Sequence, residues 1–421
     1  MSTTTSRSLR SWKGRTVVAT TACVAVLALA ACGGGSGFNE PGQTNNTGGG
    51  GGGSLEVLIG SSGDAETKTV TQQLKDWSDK TGTKANLTLA TDLAQQLAQG
   101  FAAGSPPDVF YVSTEAFPGW AANGSLEPYA DQLDAKFYPT LQASFTFDGK
   151  FFCAPKDFST LALIINNEAW QKAGLTEADY PKTWDDLKTV AQKLTTGNQV
   201  GLSFGPEWAR VGAFMAQAGG HILDSNGSAD IDTPENLQAL QYVQDLLKSG
   251  VAKFPGDVDS GWGGEAFGTQ RAAMTIEGNW IVGAMEADYP NVKYTVAPLP
   301  EGPGGPGTLQ FTNCWGIASD SKNKQAAIDL VKFLVSDEEQ MKAAKGFGVM
   351  PSVESVAGEW AKEFPEQKAF VDGAQHAQGV PPIQGWTEVV GDFNAQIQGM
   401  PNNDPQTILT SVQSSLKAIA P

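Results

Sequence analysis

The chain has 421 residues, of which 40% are hydrophobic and 17% charged. That is longer than one core usually organises and too apolar for wholesale disorder, so two domains are expected. A net charge of −17 repels nucleic acid and anionic lipid surfaces, which excludes nucleic acid as a partner. Two histidines, His221 and His376, have no metal-spaced companions, so neither a metal nor a cofactor is expected.

The N-terminus reads as a leader. Arg7, Arg10, Lys13 and Arg15 precede an uncharged apolar stretch from Val17 to Ala31, the length of a signal-peptide core and short for a membrane span. It ends in Leu29-Ala30-Ala31-Cys32, which resembles the lipobox of bacterial lipoproteins, with Cys32 as the acylated (diacylglycerol, palmitate) residue. Residues 1–31 are therefore assigned to a lipoprotein signal peptide. Residues 32–54, rich in Gly, Ser, Asn and Thr, form a flexible tether. Loss of four positive charges with the leader takes the net charge from −17 to about −21. The expected location is the outer face of the cytoplasmic membrane, held by the lipid. Cys23 leaves with the leader, so Cys153 and Cys314 remain in an oxidising compartment. A disulfide between them is permitted, two buried thiols being the alternative. Such a bridge would close a loop of about 160 residues, contributing about 4–5 kcal/mol on the chain-entropy account.

From residue 55 onward, strands alternate with amphipathic helices. Leu55 to Ile59 is a strand that ends at Gly60-Ser61-Ser62-Gly63-Asp64. Val70, Leu74 and Trp77 share one face of a helix that stops at Thr81-Gly82. A second helix from Thr91 carries Leu93, Leu97 and Phe101, and Asp108 to Val112 is a buried strand after Pro106-Pro107. Leu161 to Ile165 is a strand. Thr183 caps a helix with Trp184, Leu187, Val190, Ala191 and Leu194, with Asp186 completing the cap. Val200 to Phe204 is strand-like. Thr233-Pro234 opens a helix that closes at Gly250. Further helices include Asp329 to Val335 and one from Asp404-Pro405. The alternation specifies an α/β fold of two lobes with largely parallel sheets.

Several stretches carry a family resemblance. Pro106-Pro107-Asp108-Val109-Phe110 is similar to a "G-x-x-P-D-V" turn and strand. Lys156 to Thr160, continuing through Leu163 to Trp170, resembles "Y-D-x-S-T-x-x-L-Y-Y-N-K-D-L-F". Thr183-Trp184-Asp185-Asp186-Leu187 resembles "P-x-T-W-D-E-L", and Arg271 to Trp280 resembles "G-x-A-A-M-x-x-x-G-x-W". Together they resemble the family 1 extracellular solute-binding proteins of ABC importers, the group that contains maltose-binding protein. Two departures lie near the expected site: Ile164-Ile165-Asn166-Asn167 for Tyr-Tyr-Asn-Lys, and Phe311-Thr312-Asn313-Cys314-Trp315-Gly316 where glycines are usual.

The resemblance implies a two-lobed type II periplasmic-binding-protein-like fold and a receptor, not an enzyme. It implies crossings near Asp157, Cys314 and Pro351, with an N-terminal lobe of 55–157 plus 315–350 and a C-terminal lobe of 158–314 plus 351–421. Both remaining cysteines then fall beside adjacent crossings, which favours the bridge. The implied ligand is a sugar, di- or oligosaccharide, taken up between the lobes of a monomer and passed to the permease subunits.

Sugars present apolar C–H faces and hydroxyl edges, so their receptors need aromatic plates and fixed polar groups. Of 11 tryptophans, Trp12 lies in the leader, and Trp77, Trp170 and Trp184 sit on core-facing helix stripes. Trp208, Trp262, Trp280 and Trp386 occupy polar or Gly-rich contexts, and the resemblance puts Trp208, Trp280 and Trp386 at cleft positions. Asp64, Ser113, Glu115, Asp157, Ser159 and Glu207 end strands or open loops on the side where open α/β sheets bind ligands. Carboxylates there suit vicinal hydroxyls. Asn313 and Arg210 are weaker candidates. Paired carboxylates among tryptophans also suit a secreted glycoside hydrolase, with Glu207 and Glu265 as the pair. Acids with tryptophans suit a polyamine receptor.

Overall fold

Leu55–Ile59 (β1), Ala85–Leu89 (β2) and Val109–Ser113 (β3) form the parallel heart of a first sheet. The computed structural model describes residues 53–420. The leader, Cys32 and most of the tether lie outside the described residues. A short hairpin follows, Thr146–Phe147 (β4) with Lys150–Phe151 (β5), and then Ala154–Pro155 (β6). The chain next enters a second sheet with Ser159–Asn166 (β7), Val200–Ser203 (β8), Ala252–Lys253 (β9), Ala272–Gly278 (β10), Tyr294–Ala297 (β11) and Thr308–Phe311 (β12). Asn313–Ile317 (β13) returns to the first sheet, and Ala377–Gln378 (β14) closes the second. The strand orders are β2-β1-β3-β13-β6 and β14-β12-β7-β10-β8-β9, with β11 also on β7.

The sheets are less parallel than the alternation suggests. β13 runs antiparallel to β3 and β6, and β7 antiparallel to β10, β11 and β12. The strands that break the parallel pattern are those at the passages between sheets, where the chain reverses with no helix to carry it back. β2 has no counterpart in the sequence reading. It is a half-exposed edge without an apolar run.

Local signals explain the helices. Helix Asp64–Thr81 buries Val70, Leu74 and Trp77 on one stripe and ends where Gly82 takes φ 76°, a left-handed conformation that favours glycine. Helix Trp184–Leu194 starts from a reciprocal box: Asp186 N donates to Thr183 Oγ1 at 3.2 Å and Thr183 N to Asp186 Oδ2 at 3.0 Å. Thr183→Ala would remove it at a cost of about 1 kcal/mol. Helix Leu93–Ala102 is capped by Asp92 instead of starting at Thr91.

β7 is buried along its whole length, and its alternation divides the interior. Ala162 and Ile164 join the apolar cluster around the first sheet, whereas Leu161, Leu163 and Ile165 join that of the second. Three extended segments cross side by side beneath these clusters. Phe158 N donates to Met350 O at 3.1 Å, Thr312 Oγ1 to Asp157 O at 2.6 Å and Ser352 Oγ to Pro155 O at 2.6 Å. Cys153 and Cys314 are joined by a disulfide, Cα to Cα 5.6 Å, both buried. Cys314 lies in β13, but Cys153 occupies a bend before β6 and not the strand its apolar neighbours suggested. Both lie on the first sheet's side of the crossings, so the bridge ties that sheet to itself. Among the described residues no helix is long and apolar enough to cross a membrane.

Candidate binding cleft between the sheets

Loops at the ends of β1 and β3, the three crossings and the helix Trp280–Asp288 enclose a cleft of about 760 Å³. From the first sheet's side it is lined by Gly60, Ser62 to Glu66, Thr114, Glu115, Lys156 and Asp157. From the other side come Ser159, Asn279, Trp280, Gly283, Ala284, Ala287 and Phe311. Trp280, Gly283, Ala284 and Ala287 recur at i, i+3, i+4 and i+7 along one helix face, so the indole stands at the head of a flat trough. Trp280 is 38% exposed, one of only two large exposed apolar side chains among the described residues.

Beneath the first wall lies a buried ion cluster. Glu66 Oε2 accepts from Ser62 N and Ser62 Oγ, both at 2.7 Å. Glu66 Oε1 accepts from Tyr111 Oη at 2.9 Å and Lys156 Nζ at 3.0 Å. Lys156 also donates to Asp157 Oδ2 and stands 4.6 Å over the Tyr111 ring. Burial opposes the charge of Glu66, but the ammonium and the Ser62 donors outweigh it, and its pKa lies below the ordinary value. Asp157 has one donor where Glu66 has four. Burial, reinforced by the charge on Glu66, raises its pKa although Lys156 offsets part of the rise. Burial alone would lower the pKa of Lys156, but Asp157 and Glu66 together hold it above its usual value.

A second cluster stands behind Trp280. Glu277 Oε2 accepts from Arg210 Nη2 at 2.6 Å and from Trp280 Nε1 at 3.0 Å. Arg210 Cζ lies 5.2 Å from the indole centroid, and its Nη1 is 3.5 Å from Glu207 Oε1. Burial raises the pKa of both Glu277 and Glu207, with Arg210 offsetting part of each rise. Between the walls, Asn279 Nδ2 donates to Gly348 O at 2.6 Å, and Asn279 N donates to Ser159 Oγ at 2.8 Å.

Of the residues proposed from sequence, Asp64, Glu115, Asp157, Ser159 and Trp280 line this cleft, as does Asn313. The others do not. Trp208 and Trp386 are 5% and 1% exposed and pack edge-to-face at 5.3 Å inside the second sheet's core, a correction to their assignment as contact plates. Gly212 explains the inward turn of Trp208: a Cβ there would lie 2.8 Å from its Nε1, so the missing side chain makes room for the ring. Trp262 folds over Gly264 and packs against the first core cluster. Ser113 Oγ accepts from Ala116 N and holds the turn after β3, leaving Thr114 and Glu115 to face the cleft. Glu207 reaches the site only through Arg210. Sequence reasoning missed Glu66, Lys156, Glu277 and Phe311. Lys156 lies within one of the matched motifs, but its partner Glu66 is 90 residues away. Among the described residues no group of three or more potential ligands is placed to hold a metal. Four carboxyl groups and one ammonium line a partly apolar trough, an arrangement suited to gripping a polar guest.

The chain is similar to known proteins in sequence and in fold. The chain is 25% identical over 414 residues to the diacetylchitobiose binding protein DasA of Streptomyces coelicolor, covering 94% of this chain and 92% of that one. It is 24% identical over 297 residues to the arabinooligosaccharide-binding protein of Bacillus subtilis, covering 65% and 66%. Among solved structures it resembles a Listeria monocytogenes ABC substrate-binding protein in complex with cycloalternan, with a TM-score of 0.76, 23% identity and coverage of 87% and 98%. The cyclic alpha-maltosyl-1,6-maltose binding protein of Arthrobacter globiformis gives a TM-score of 0.77 at 22% identity, again covering 87% and 98%. These structures establish the fold, that of type II periplasmic binding proteins. The sequence matches the family described as bacterial extracellular solute-binding protein over residues 61–341. The chain is therefore a member of that family, whose proteins bind solutes and are not enzymes.

Proposed function

We propose that this protein is the lipid-anchored receptor of an ABC importer, taking a di- or oligosaccharide into the cleft and delivering it to the permease. The observation that carries the reading is the pairing of an exposed indole plate with carboxylates across a cleft of about 760 Å³. That volume lies within the roughly 300–1,000 Å³ usual for small-ligand sites. Trp280 stacks on a sugar face, while Asp64, Glu115 and Asp157 accept from hydroxyls on the opposite edge. Relatives named for diacetylchitobiose and arabinooligosaccharide support the ligand class.

The two lobes close about the three crossings when one guest contacts both walls. The permease then reads the closed form of a single copy. Acylated Cys32 holds the receptor at the outer face of the membrane. Calorimetric titration against di- and trisaccharides, with polyamines alongside, tests the ligand. A heat with at least one saccharide and none with polyamines is expected. Four carboxyl groups against one lysine in the lining favour the polyamine as second reading, and heat from polyamines alone would establish it. Globomycin-sensitive processing of the precursor tests the anchor, and retention of the leader in a Cys32→Ser variant is the expected result.

A further inference from the structure

Four separate contacts hold the Trp280 ring at one angle. A Cβ on Gly278 would come within 2.2 Å of Trp280 Cζ3, so the indole lies directly against bare backbone. Phe311 meets it edge-on at 5.4 Å, with the planes 80° apart. Arg210 stands over the ring at 5.2 Å, and Trp280 Nε1 donates to Glu277 Oε2 at 3.0 Å. Two of the four converge on one atom, because the same Glu277 oxygen accepts from Arg210 at 2.6 Å. Glu277 lies near the end of β10 and is 1% exposed, whereas the ring it holds is 38% exposed. A buried carboxylate costs free energy that an apolar side chain in the same place would not.

We propose that Glu277 is a positioning residue for solute binding: it fixes the Trp280 indole through Nε1 and draws Arg210 over the same ring, without touching the solute itself. The inference rests on the reading of Trp280 as a contact plate. Preorganisation is its physical content. A ring already immobilised loses no rotamer freedom when a guest stacks on it, and a free one does. Arginine suits the task because its planar guanidinium can face an indole and donate in its own plane to a carboxylate at the same time. Glutamine at position 277 keeps an oxygen to accept from Nε1, so it should preserve the geometry. Methionine fills similar space but is only a weak acceptor.

The test uses the full-length protein with Glu277→Gln and Glu277→Met, each with and without Trp280→Phe. Subtracting the emission of the matching Trp280→Phe form isolates the fluorescence of the one indole. Acrylamide quenching of that difference should rise at least about twofold in the Met variant and stay near the parent value in the Gln variant, as fits a ring released on the ps–ns scale. Titration with the tightest saccharide of the panel should show the Met variant weakened about tenfold or more, on the scale of a lost aromatic hot spot, and the Gln variant recovering most of that loss. Combined with Trp280→Ala, Glu277→Met should add little further loss, since both act through one ring. Parent-like quenching in the Met variant overturns the proposal, and so do additive losses. If no saccharide binds the parent protein, the functional reading fails, while the quenching still decides whether Glu277 holds the ring. Should the Met variant not fold, Glu277→Leu with Arg210→Met removes both buried charges together and carries the same expectations.

Discussion

The two walls of the cleft are built on the same device and use it differently. Each rests on one base held between two acids: Lys156 between Glu66 and Asp157, and Arg210 between Glu277 and Glu207. Each base also lies over an aromatic ring, Tyr111 for the lysine and Trp280 for the arginine. In the first wall the ring is buried and the base borders the cleft. In the second the ring faces the cleft and the base stands behind it. One wall therefore offers charge to a guest, with its single cation already paired, and the other offers an apolar plane. Fold symmetry does not require this. It follows from which member of each cluster ends its strand or opens its helix.

Removing each base puts the contrast under the greatest strain. Lys156→Met leaves Glu66 and Asp157, 3% and 8% exposed, without their cation, and a loss of about 3–5 kcal/mol in unfolding free energy is expected. Arg210→Met should cost less, because it leaves one buried acid without its cation, Glu277, where Lys156→Met leaves two; the Glu207 side chain is 32% exposed and can hydrate. Urea denaturation of both variants measures the difference. Equal losses would mean that the clusters are energetically alike and differ only in position.

The tryptophans carry the same contrast into the second wall. Trp386→Ala removes a 1% exposed core ring packed on Trp208 and should cost about 3–5 kcal/mol of stability. Trp280→Ala should leave the melting temperature within a few degrees but weaken saccharide binding about thirtyfold, the scale of an interfacial aromatic anchor. A Trp386→Ala protein that stayed folded and lost only affinity would make that residue a solute contact after all.

How much of this the sequence showed depends on how local the cause was. The caps at Thr183 and Asp404, the stop at Gly82 and the apolar stripe through Val70 and Trp77 are set within a turn or two, and all were legible. β2 was not, because Ala85 to Leu89 sits half-exposed at a sheet edge and needs no apolar pattern. Asp64 and Glu115 could be placed beside the cleft because strand-end loops expose whatever they carry. Trp208 and Trp386 were misplaced because a tryptophan in a polar segment looks the same whether its ring turns to the cleft or the core. Here each supplies the other's partner from a distant stretch of chain. Glu277 was passed over for the converse reason: it sits inside a strand that reads as core, and its partner Arg210 is 67 residues earlier.

Acidity should separate the clusters by sign. Burial raises the pKa of Glu277, so its protonated form is the one that favours folding. That contribution is complete below the unfolded value and is lost as pH rises through the folded one. Glu66 behaves oppositely: its pKa is depressed, and its contribution is lost as pH falls through the folded value. Glu277→Gln should therefore gain stability relative to the parent on going from pH 4 to pH 8, by about 1.4 kcal/mol for each unit by which the folded pKa is raised. Glu66→Gln should lose stability relative to the parent as pH rises, over a lower range that ends near the ordinary carboxylate value, above which the Glu66 contribution is complete. Denaturation curves at several pH values measure both, and parallel slopes would show that the two walls do not differ in this respect.

The smallest expected effect concerns the exposed acids of the first wall. Asp64 and Glu115 are solvent-exposed, so Asp64→Asn and Glu115→Gln should each change stability by no more than about 0.5 kcal/mol. Binding is where they should register. With Lys156 already paired, the lining offers an anion no free cation among the described residues, and Asp64 and Glu66 occupy the first turn of the helix whose N-terminus could otherwise receive one. A neutral disaccharide should therefore bind more tightly than its uronic-acid counterpart, in which a carboxylate replaces one hydroxymethyl group. The double variant should narrow that preference about threefold to tenfold, the scale of a partly screened charge interaction at these distances. High salt should narrow it in the parent protein as well, since exposed charges are screened and the buried clusters are not. If the preference survives both the substitutions and the salt, discrimination comes from shape at the Trp280 trough, and the contrast between the walls is one of form more than of charge.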